Sequence, residues 1–262
     1  MESTLLLLDF DGVYRTQDFY RQEKCRWISK DHMTGVCAYC DTQAQNQLRK
    51  RIQNINQPVL AFLGSGNYHY IALFLMEKIR EDFALVLFDH HSDMQCPAFG
   101  SLLSCGNWLR QAEEQLPHLK QVVLVGVDDS KWTELPNSNP VTLFPRTVIS
   151  EKTDWLWELE QGIPYPVYFS VDKDVFSKSV AWTNWDQGVL DLHQFSKAFC
   201  TVAEGHKVVG MDVCGEFPAM YGNLFVSNAA NRKNNQENRN LLELWKRHCC
   251  STELTGNRAM NA

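Results

Sequence analysis

The sequence predicts an α/β protein with three layers, in which a mostly parallel sheet lies between two layers of helices. Short apolar runs typical of buried strands alternate with segments of helical spacing along the 262 residues, a pattern that favours a parallel sheet covered on both faces. Apolar residues make up 44% of the chain, enough for a sizeable core. No internal repeat or linker interrupts the alternation, so we expect one domain over residues 1–262.

Each element follows from its local pattern. The expected strands are apolar runs that end in polar or glycine-containing turns, at residues 5–8, 59–63, 85–88, 121–127, 166–172 and 207–212. The expected helices have apolar residues three or four apart, at residues 42–52, 69–80, 102–115, 154–161, 191–202 and 231–248. Residues 14–41 show neither period and are expected to form a long loop. Residues 250–262 are expected to be a flexible tail.

Bulk properties exclude several classes of function. The formal net charge is −6 and no basic block is present, so nucleic acid is not an expected partner. No apolar run is long enough to span a bilayer. The nine cysteines are irregularly spaced in a chain without a secretory signal, which indicates a reduced, cytoplasmic protein with free thiols.

Three of the expected strands end in side chains that bind divalent metals. Asp89, His91 and Asp93 follow one apolar run, and alternate residues of extended backbone point the same way. Asp172 and Asp174 follow another run, and His69 follows a glycine turn. Mixed imidazole and carboxylate ligands suit an ion such as manganese. Six ligands exceed the usual share of one ion, but bridging carboxylates would let them serve a metal pair about 3.5–4 Å apart.

These motifs resemble those of the arginase and agmatinase ureohydrolases. The Asp-His-His-Ser-Asp stretch at residues 89–93 is similar to that family's Asp-Ala-His-Thr-Asp strand end. The Ser-Val-Asp-Lys-Asp stretch at residues 170–174 is similar to its Ser-x-Asp-x-Asp strand end, and residues 64–69 are a looser match to its glycine turn before a histidine. The three motifs occur in the family's order, within a resemblance that runs from about residue 61 to residue 218.

The resemblance implies an arginase-like fold, two manganese ions and a metal-activated hydroxide that attacks a guanidino carbon, releasing urea and an amine. One ion would be held by His69, Asp89, Asp93 and Asp172, and the other by Asp89, His91, Asp172 and Asp174. Asp89 and Asp172 would bridge the ions. Asp89, His91 and Asp172 are therefore the expected catalytic residues, together with Glu216.

The chain departs from the family at several positions. Gly215 stands where the family has a glutamate that receives the guanidinium, so the neighbouring Glu216 is the candidate substrate carboxylate. Leu109 occupies the place of a proton-shuttling histidine, close to Ser104 and Asn107, which are candidate substrate-binding residues. Asp186 is a further candidate, in a bulky aromatic loop that is expected to wall the pocket.

With these departures, the chain resembles a divergent, arginase-like group that includes peptide arginases. The expected partner is therefore a small guanidino compound or an arginine-containing peptide. Family members are often oligomers, which makes a homo-oligomer a further expectation.

The sequence alone is also compatible with three different functions. Asp9 and Asp11 follow the first strand as in phosphatases of the haloacid-dehalogenase type. A zinc deacylase on the same general fold is a second possibility, and a non-catalytic binding protein is a third. Separately, Cys25, His32, Cys37 and Cys40 include a C-x-x-C pair and could form a structural zinc site.

Overall fold

The computed structural model describes residues 4–97, 100–131, 140–151 and 154–249, and the predicted tail at 250–262 lies outside them. Ten strands are present among these residues: β1 Thr4–Asp9, β2 Cys25–Ser29, β3 Tyr39–Cys40, β4 Val59–Phe62, β5 Phe83–Phe88, β6 Leu103–Ser104, β7 Leu119–Val125, β8 Val141–Phe144, β9 Val167–Asp172 and β10 Val208–Cys214. Seven helices accompany them: α1 Thr42–Ile52, α2 Ile71–Met76, α3 Trp108–Gln115, α4 Arg146–Glu151, α5 Trp155–Gln161, α6 Leu192–Gly205 and α7 Leu224–Cys249.

Eight strands form one sheet in the order β2-β1-β4-β10-β9-β5-β7-β8. Every neighbouring pair in this sheet is parallel. The predicted parallel sheet is therefore confirmed. Four adjacent central strands, β4, β10, β9 and β5, bring their carboxyl ends to one edge, which is where open α/β sheets place their sites.

Helices cover both faces of the sheet and complete the three-layer architecture. Alternate residues of a strand point to opposite faces, so Leu6 and Leu8 of β1 join one buried cluster while Leu5 and Leu7 join the other. The first cluster contains the apolar faces of α1, α2 and α3, and the second those of α5, α6 and α7. Strands buried on both faces explain the continuous apolar runs of the sequence.

The prediction of a loop over residues 14–41 is wrong in part. This segment contains a short 3-10 helix at Val13–Thr16, the edge strand β2, and β3, which pairs with β6 in a two-stranded antiparallel sheet. Only Ile28 of β2 is buried, because an edge strand packs few side chains, and so the segment carries no apolar pattern. The edge strand is held by its pairing with β1.

Several element boundaries also differ from the prediction. The helix expected from residue 102 begins at Trp108, because Leu103 and Ser104 pair with β3. The helix expected to reach residue 80 ends at Met76. α7 begins at Leu224, seven residues before the expected start, and β8 and α4 were not predicted. Among the described residues, no helix is both long and apolar enough to cross a membrane.

Candidate metal centre

The six residues predicted to bind metal come together at the carboxyl edge of the central strands. His69 follows the turn after β4, and the two aspartate motifs follow β5 and β9. All six are buried except His91, whose side chain is 19% exposed. Parallel pairing of β5 with β9 aligns the ends of these two strands, so side chains more than 80 residues apart in the chain become neighbours.

Local backbone geometry aims these side chains. Gly64 adopts φ +87° in the turn between β4 and His69, a conformation that L side chains rarely adopt. Gly66 lies against the centre, because a Cβ atom there would be 2.8 Å from Asp172 Oδ2. Asp93 itself has φ +51°. A non-glycine residue in this region stores strain of about 1–3 kcal/mol, a feature concentrated at functional sites.

Two imidazoles each face a pair of carboxylates. His69 Nδ1 lies 3.0 Å from Asp93 Oδ2 and 3.3 Å from Asp89 Oδ2. His91 Nδ1 lies 2.9 Å from Asp174 Oδ2 and 3.6 Å from Asp89 Oδ1. Asp89 thus presents one oxygen to each histidine. A carboxylate in this position is suited to bridge two ions.

Three groups of ligand atoms are close enough to hold an ion. They are His69 with Asp89 and Asp93, His91 with Asp89 and Asp174, and His69 with Asp172 and Cys214. The first two are the cores of the two ligand sets expected from the resemblance. The third adds Cys214, whose thiol donates to Asp172 Oδ2 at 3.0 Å. Cys214 is not one of the six predicted ligands.

Burial and mutual repulsion shift the ionisation of these carboxyl groups. Burial, reinforced by the charge of Asp89, raises the pKa of Asp93 to about 6. The same two causes raise the pKa of Asp172, and burial with the charge of Asp172 raises that of Asp174 well above its usual value. Burial also acts on Asp89, but the neighbouring imidazoles of His69 and His91 outweigh it and lower the pKa of Asp89. Concentrated buried negative charge of this kind favours a bound cation.

Two buried atoms without hydrogen-bond partners indicate that these residues fit a metal. Among the described residues, His69 Nδ1 and Asp89 Oδ2 are buried and have no hydrogen-bond partner, although they lie 3.3 Å apart. Buried polar atoms are rarely left in this condition. Both are atoms that ligate manganese, so a cation between them would satisfy both.

A polar relay fixes the orientation of His69. Ser170 Oγ donates to Asp212 Oδ1 at 2.9 Å and lies 2.9 Å from His69 Nε2. Because the serine has one proton and gives it to Asp212, it accepts from the imidazole Nε2–H. The lone pair of the neutral ring then lies on Nδ1, towards the carboxylates. Outer contacts of this type orient histidine ligands in metal sites.

A cavity of about 240 Å³ opens above the centre. Its base is formed by Asp89, His91, Asp93, Asp172 and Asp174, and its walls include Tyr39, Gln95, Ser104, Cys105 and Trp185. Trp185 donates through Nε1 to Asn67 Oδ1 at 3.2 Å, which holds the indole in place. The aromatic loop around residue 185 therefore contributes to the cavity wall, as the sequence suggested, whereas Tyr39 and Gln95 were not predicted.

The predicted substrate-binding residues separate into two groups. Ser104 lines the cavity, and Asp186 contacts a lining residue, with Oδ1 3.0 Å from His91 Nε2. Asn107 is buried behind the wall, where Oδ1 accepts from the Ser104 amide at 2.8 Å. Glu216 is 1% exposed and paired with Lys173. Asn107 and Glu216 thus have partners inside the protein and are not among the cavity-lining residues, which runs against their predicted contact with a substrate.

The phosphatase-type aspartates and the cysteine-rich zinc site do not assemble into metal-binding groups. Among the described residues, none of the groups able to hold a metal includes Asp9, Asp11 or the predicted zinc ligands Cys25, His32, Cys37 and Cys40. Asp9 accepts from Arg15 at 2.9 Å and Asp11 from the Ser65 amide at 2.9 Å.

The fold and the site together define an α/β protein of three layers with a carboxylate–histidine centre at the strand ends. The sequence model of the family described as Arginase family matches residues 13–223. The chain belongs to the arginase family, and the phosphatase hypothesis is thereby set aside. A relative in Thermotoga maritima, itself an uncharacterized protein, is 29% identical over 212 residues, which are 80% of this chain and 78% of the relative.

Solved structures of low sequence identity share the fold. Proclavaminate amidino hydrolase from Streptomyces clavuligerus superposes with a TM-score of 0.70 at 17% identity, covering 94% of this chain and 92% of its own. Formiminoglutamase from Trypanosoma cruzi, solved with Mn²⁺, gives 0.65 at 12% identity and covers 92% of both chains. Arginase from Bacillus cereus gives 0.64 at 10% identity, covering 93% of this chain and 98% of its own.

Proposed function

We propose that this protein is a manganese-dependent hydrolase of the ureohydrolase type, which cleaves a carbon–nitrogen bond of a guanidino group to release urea and an amine. The observation that carries the proposal is the position of Asp89, whose two oxygens face the two imidazoles of the centre. One ion would be held by His69, Asp89, Asp93 and Asp172. The other would be held by Asp89, His91, Asp172 and Asp174.

The reacting groups would meet at the base of the cavity. The metal pair, when bound, supplies an activated water nucleophile near neutral pH. The carboxylates at the base attract a cationic guanidinium. Membership of the arginase family supports hydrolysis of such a bond, and so does the shared fold of the Streptomyces amidino hydrolase and the Bacillus arginase.

The walls of the cavity contribute binding and exclusion of water. The fixed indole of Trp185 is 40% exposed and Tyr39 is 47% exposed, so both present aromatic surface at the mouth. Aromatic faces attract guanidinium groups. His91 is held from both sides, by Asp174 at Nδ1 and by Asp186 at Nε2, so Asp186 is suited to orient this histidine. An open mouth is compatible with an arginine side chain carried by a peptide, as well as with a free guanidino compound.

Metal content per chain is the first test. We expect about two equivalents of manganese after loading and desalting of the native protein, and loss of most of the metal in Asp172→Ala. Asp9→Asn is the matched control, because Asp9 is also a buried aspartate at a strand end but belongs to none of the three groups of ligand atoms that could hold an ion. One weak equivalent that does not respond to the loss of Asp172 would refute the binuclear centre.

Urea release from free arginine, agmatine and arginine-containing peptides is the second test. Activity with manganese and loss of activity on replacement by zinc would separate a ureohydrolase from a zinc deacylase. Two bound ions without urea release from any of these compounds would refute the guanidino assignment and favour a non-catalytic binding protein.

A further inference from the structure

Lys173 lies between the two candidate ligands Asp172 and Asp174, and its side chain is completely buried. Its ammonium donates to Glu216 Oε1 and, at 3.1 Å, to Asn238 Oδ1. The side chain is thus directed to internal partners, and Lys173 is not among the residues that line the cavity. An ion pair in this position requires an explanation, because removing two charges from water is costly.

The pair belongs to a closed polar network. Asn238 Nδ2 donates to Glu216 Oε1 at 2.6 Å and to Gln17 Oε1 at 2.8 Å, and Gln17 Nε2 donates to Glu216 Oε2 at 2.9 Å. All four side chains are at most 1% exposed. They come from the segment after β1, the turn after β9, the segment after β10, and α7. The network therefore ties four distant parts of the chain together directly behind the centre.

The backbone of the same region is equally constrained. Gly215 has φ +90°, and a Cβ atom there would lie 2.7 Å from the Lys173 amide nitrogen and 2.5 Å from Asp172 Oδ1. The Glu216 amide donates to the Gly64 carbonyl at 3.0 Å, in the turn that leads to His69. The backbone of the turn at Lys173 thus packs closely against Gly215, and the ammonium of Lys173 is held by Glu216.

We propose that Lys173 is a positioning residue, whose ammonium, anchored by Glu216 and Asn238, fixes the turn that presents Asp172 and Asp174 to metal. This role rests on the proposed metal centre. The same role means that the Glu216 carboxylate neutralises Lys173 and does not receive a substrate cation.

The test is the double variant Lys173→Met with Glu216→Gln. Either single change would leave one charge buried without its partner and would destabilise the fold. The double change keeps the volumes and removes one charge of each sign, so the net charge next to the metals is unchanged. We expect manganese affinity, measured by titration calorimetry, to fall about 10–100-fold, the range for loss of an outer contact to metal ligands. Loss of the exchange coupling between the two manganese ions, measured by electron paramagnetic resonance, would show that the ligands Asp172 and Asp174 are displaced.

A matched control uses the pair Arg49 and Glu77, which joins α1 to the residue that follows α2 through two hydrogen bonds from Nε and one from an Nη atom. The variant Arg49→Met with Glu77→Gln should bind manganese as the native protein does. Asn238→Ala is a milder second variant, because it keeps the ion pair. It removes the acceptor for Lys173 and the two hydrogen bonds that Asn238 donates to Glu216 and Gln17, and we expect a loss of manganese affinity near the lower end of the same range, about 10-fold.

Two results would overturn the inference in different ways. Native affinity and coupling in the double variant would show that Lys173 does not position the ligands, while the metal centre would stand. A native protein that binds no manganese would refute the proposed function and, with it, the positioning role.

Discussion

Replacing the buried Glu237 with glutamine should stabilise the protein strongly at about pH 8 and only slightly at about pH 5. Glu237 lies on α7 and is 2% exposed. Its Oε2 accepts from Asn240 Nδ2 at 3.2 Å, and its Oε1 has no hydrogen-bond partner among the described residues. Burial therefore raises the pKa of Glu237 to about 7, against the opposing effects of Asn240 and the Lys173 charge.

The sign and size of the effect follow from this shift. Below pH 4.5, the ordinary pKa of the group, the carboxyl group is protonated in both the folded and the unfolded state and costs nothing. As the pH rises from there, the unfolded chain loses the proton first, so the free energy of unfolding falls until the pH passes about 7. The rise in pKa from 4.5 to about 7, at about 1.4 kcal/mol per pKa unit, corresponds to about 3 kcal/mol. At pH 5 the same relation gives a reduction in the free energy of unfolding of less than about 1 kcal/mol.

Urea unfolding of the native protein and Glu237→Gln at both pH values measures the difference, because every other titrating group cancels between the two proteins. Glu243→Gln is the control on the same helix, because it makes the same chemical change at a side chain that is 58% exposed, where the burial that penalises the Glu237 carboxylate is absent. An equal difference between the Glu237 variant and the native protein at pH 5 and pH 8 would refute the reasoning.

Three further changes act on the metal centre. Asp89→Asn leaves one neutral oxygen where two charged oxygens face the imidazoles, and manganese titration should show the loss of both sites; retention of one tight site would contradict a bridging role. Ser170→Ala removes the acceptor for His69 Nε2, and manganese affinity should fall about 10–100-fold with the fold intact by circular dichroism; unchanged affinity would mean that the relay does not orient the ring. Gly215→Ala places a Cβ atom 2.5 Å from Asp172 Oδ1 at φ +90°. The free energy of unfolding, measured by thermal unfolding, should fall by at least about 1–2 kcal/mol, and manganese affinity should fall as well. A variant with native stability and native affinity would contradict the close packing of Gly215 against Asp172.

Much of the centre could be predicted because its motifs are local. An apolar strand followed by Asp89, His91 and Asp93 gives both the buried strand and the side-chain types within a short stretch, and the same holds for Asp172 and Asp174. Parallel pairing then leaves the strand ends at one edge of the sheet. The six predicted ligands do lie together there.

The partners of Glu216 could not be predicted from the sequence. A spacing argument placed this carboxylate at the site, but its direction depends on the φ of Gly215 and on a lysine, an asparagine and a glutamine from elsewhere in the chain. The sequence contained one signal, a lysine between two aspartates in an otherwise buried stretch. Nothing in its local pattern indicates which partner would neutralise it.

By itself, the sequence determined the three-layer fold class, six of the eight strands of the central sheet and the six candidate metal ligands. These features show in short stretches of the chain, because a buried strand is an apolar run and its polar end follows at once. Tertiary structure alone decided that β2 and β8 extend the sheet, that Asp89 turns one oxygen to each histidine, and that Glu216 pairs with Lys173. Edge pairing and the partner of a buried charge are long-range choices. They are fixed by which surfaces meet when the chain packs, and the local pattern of residues does not encode them.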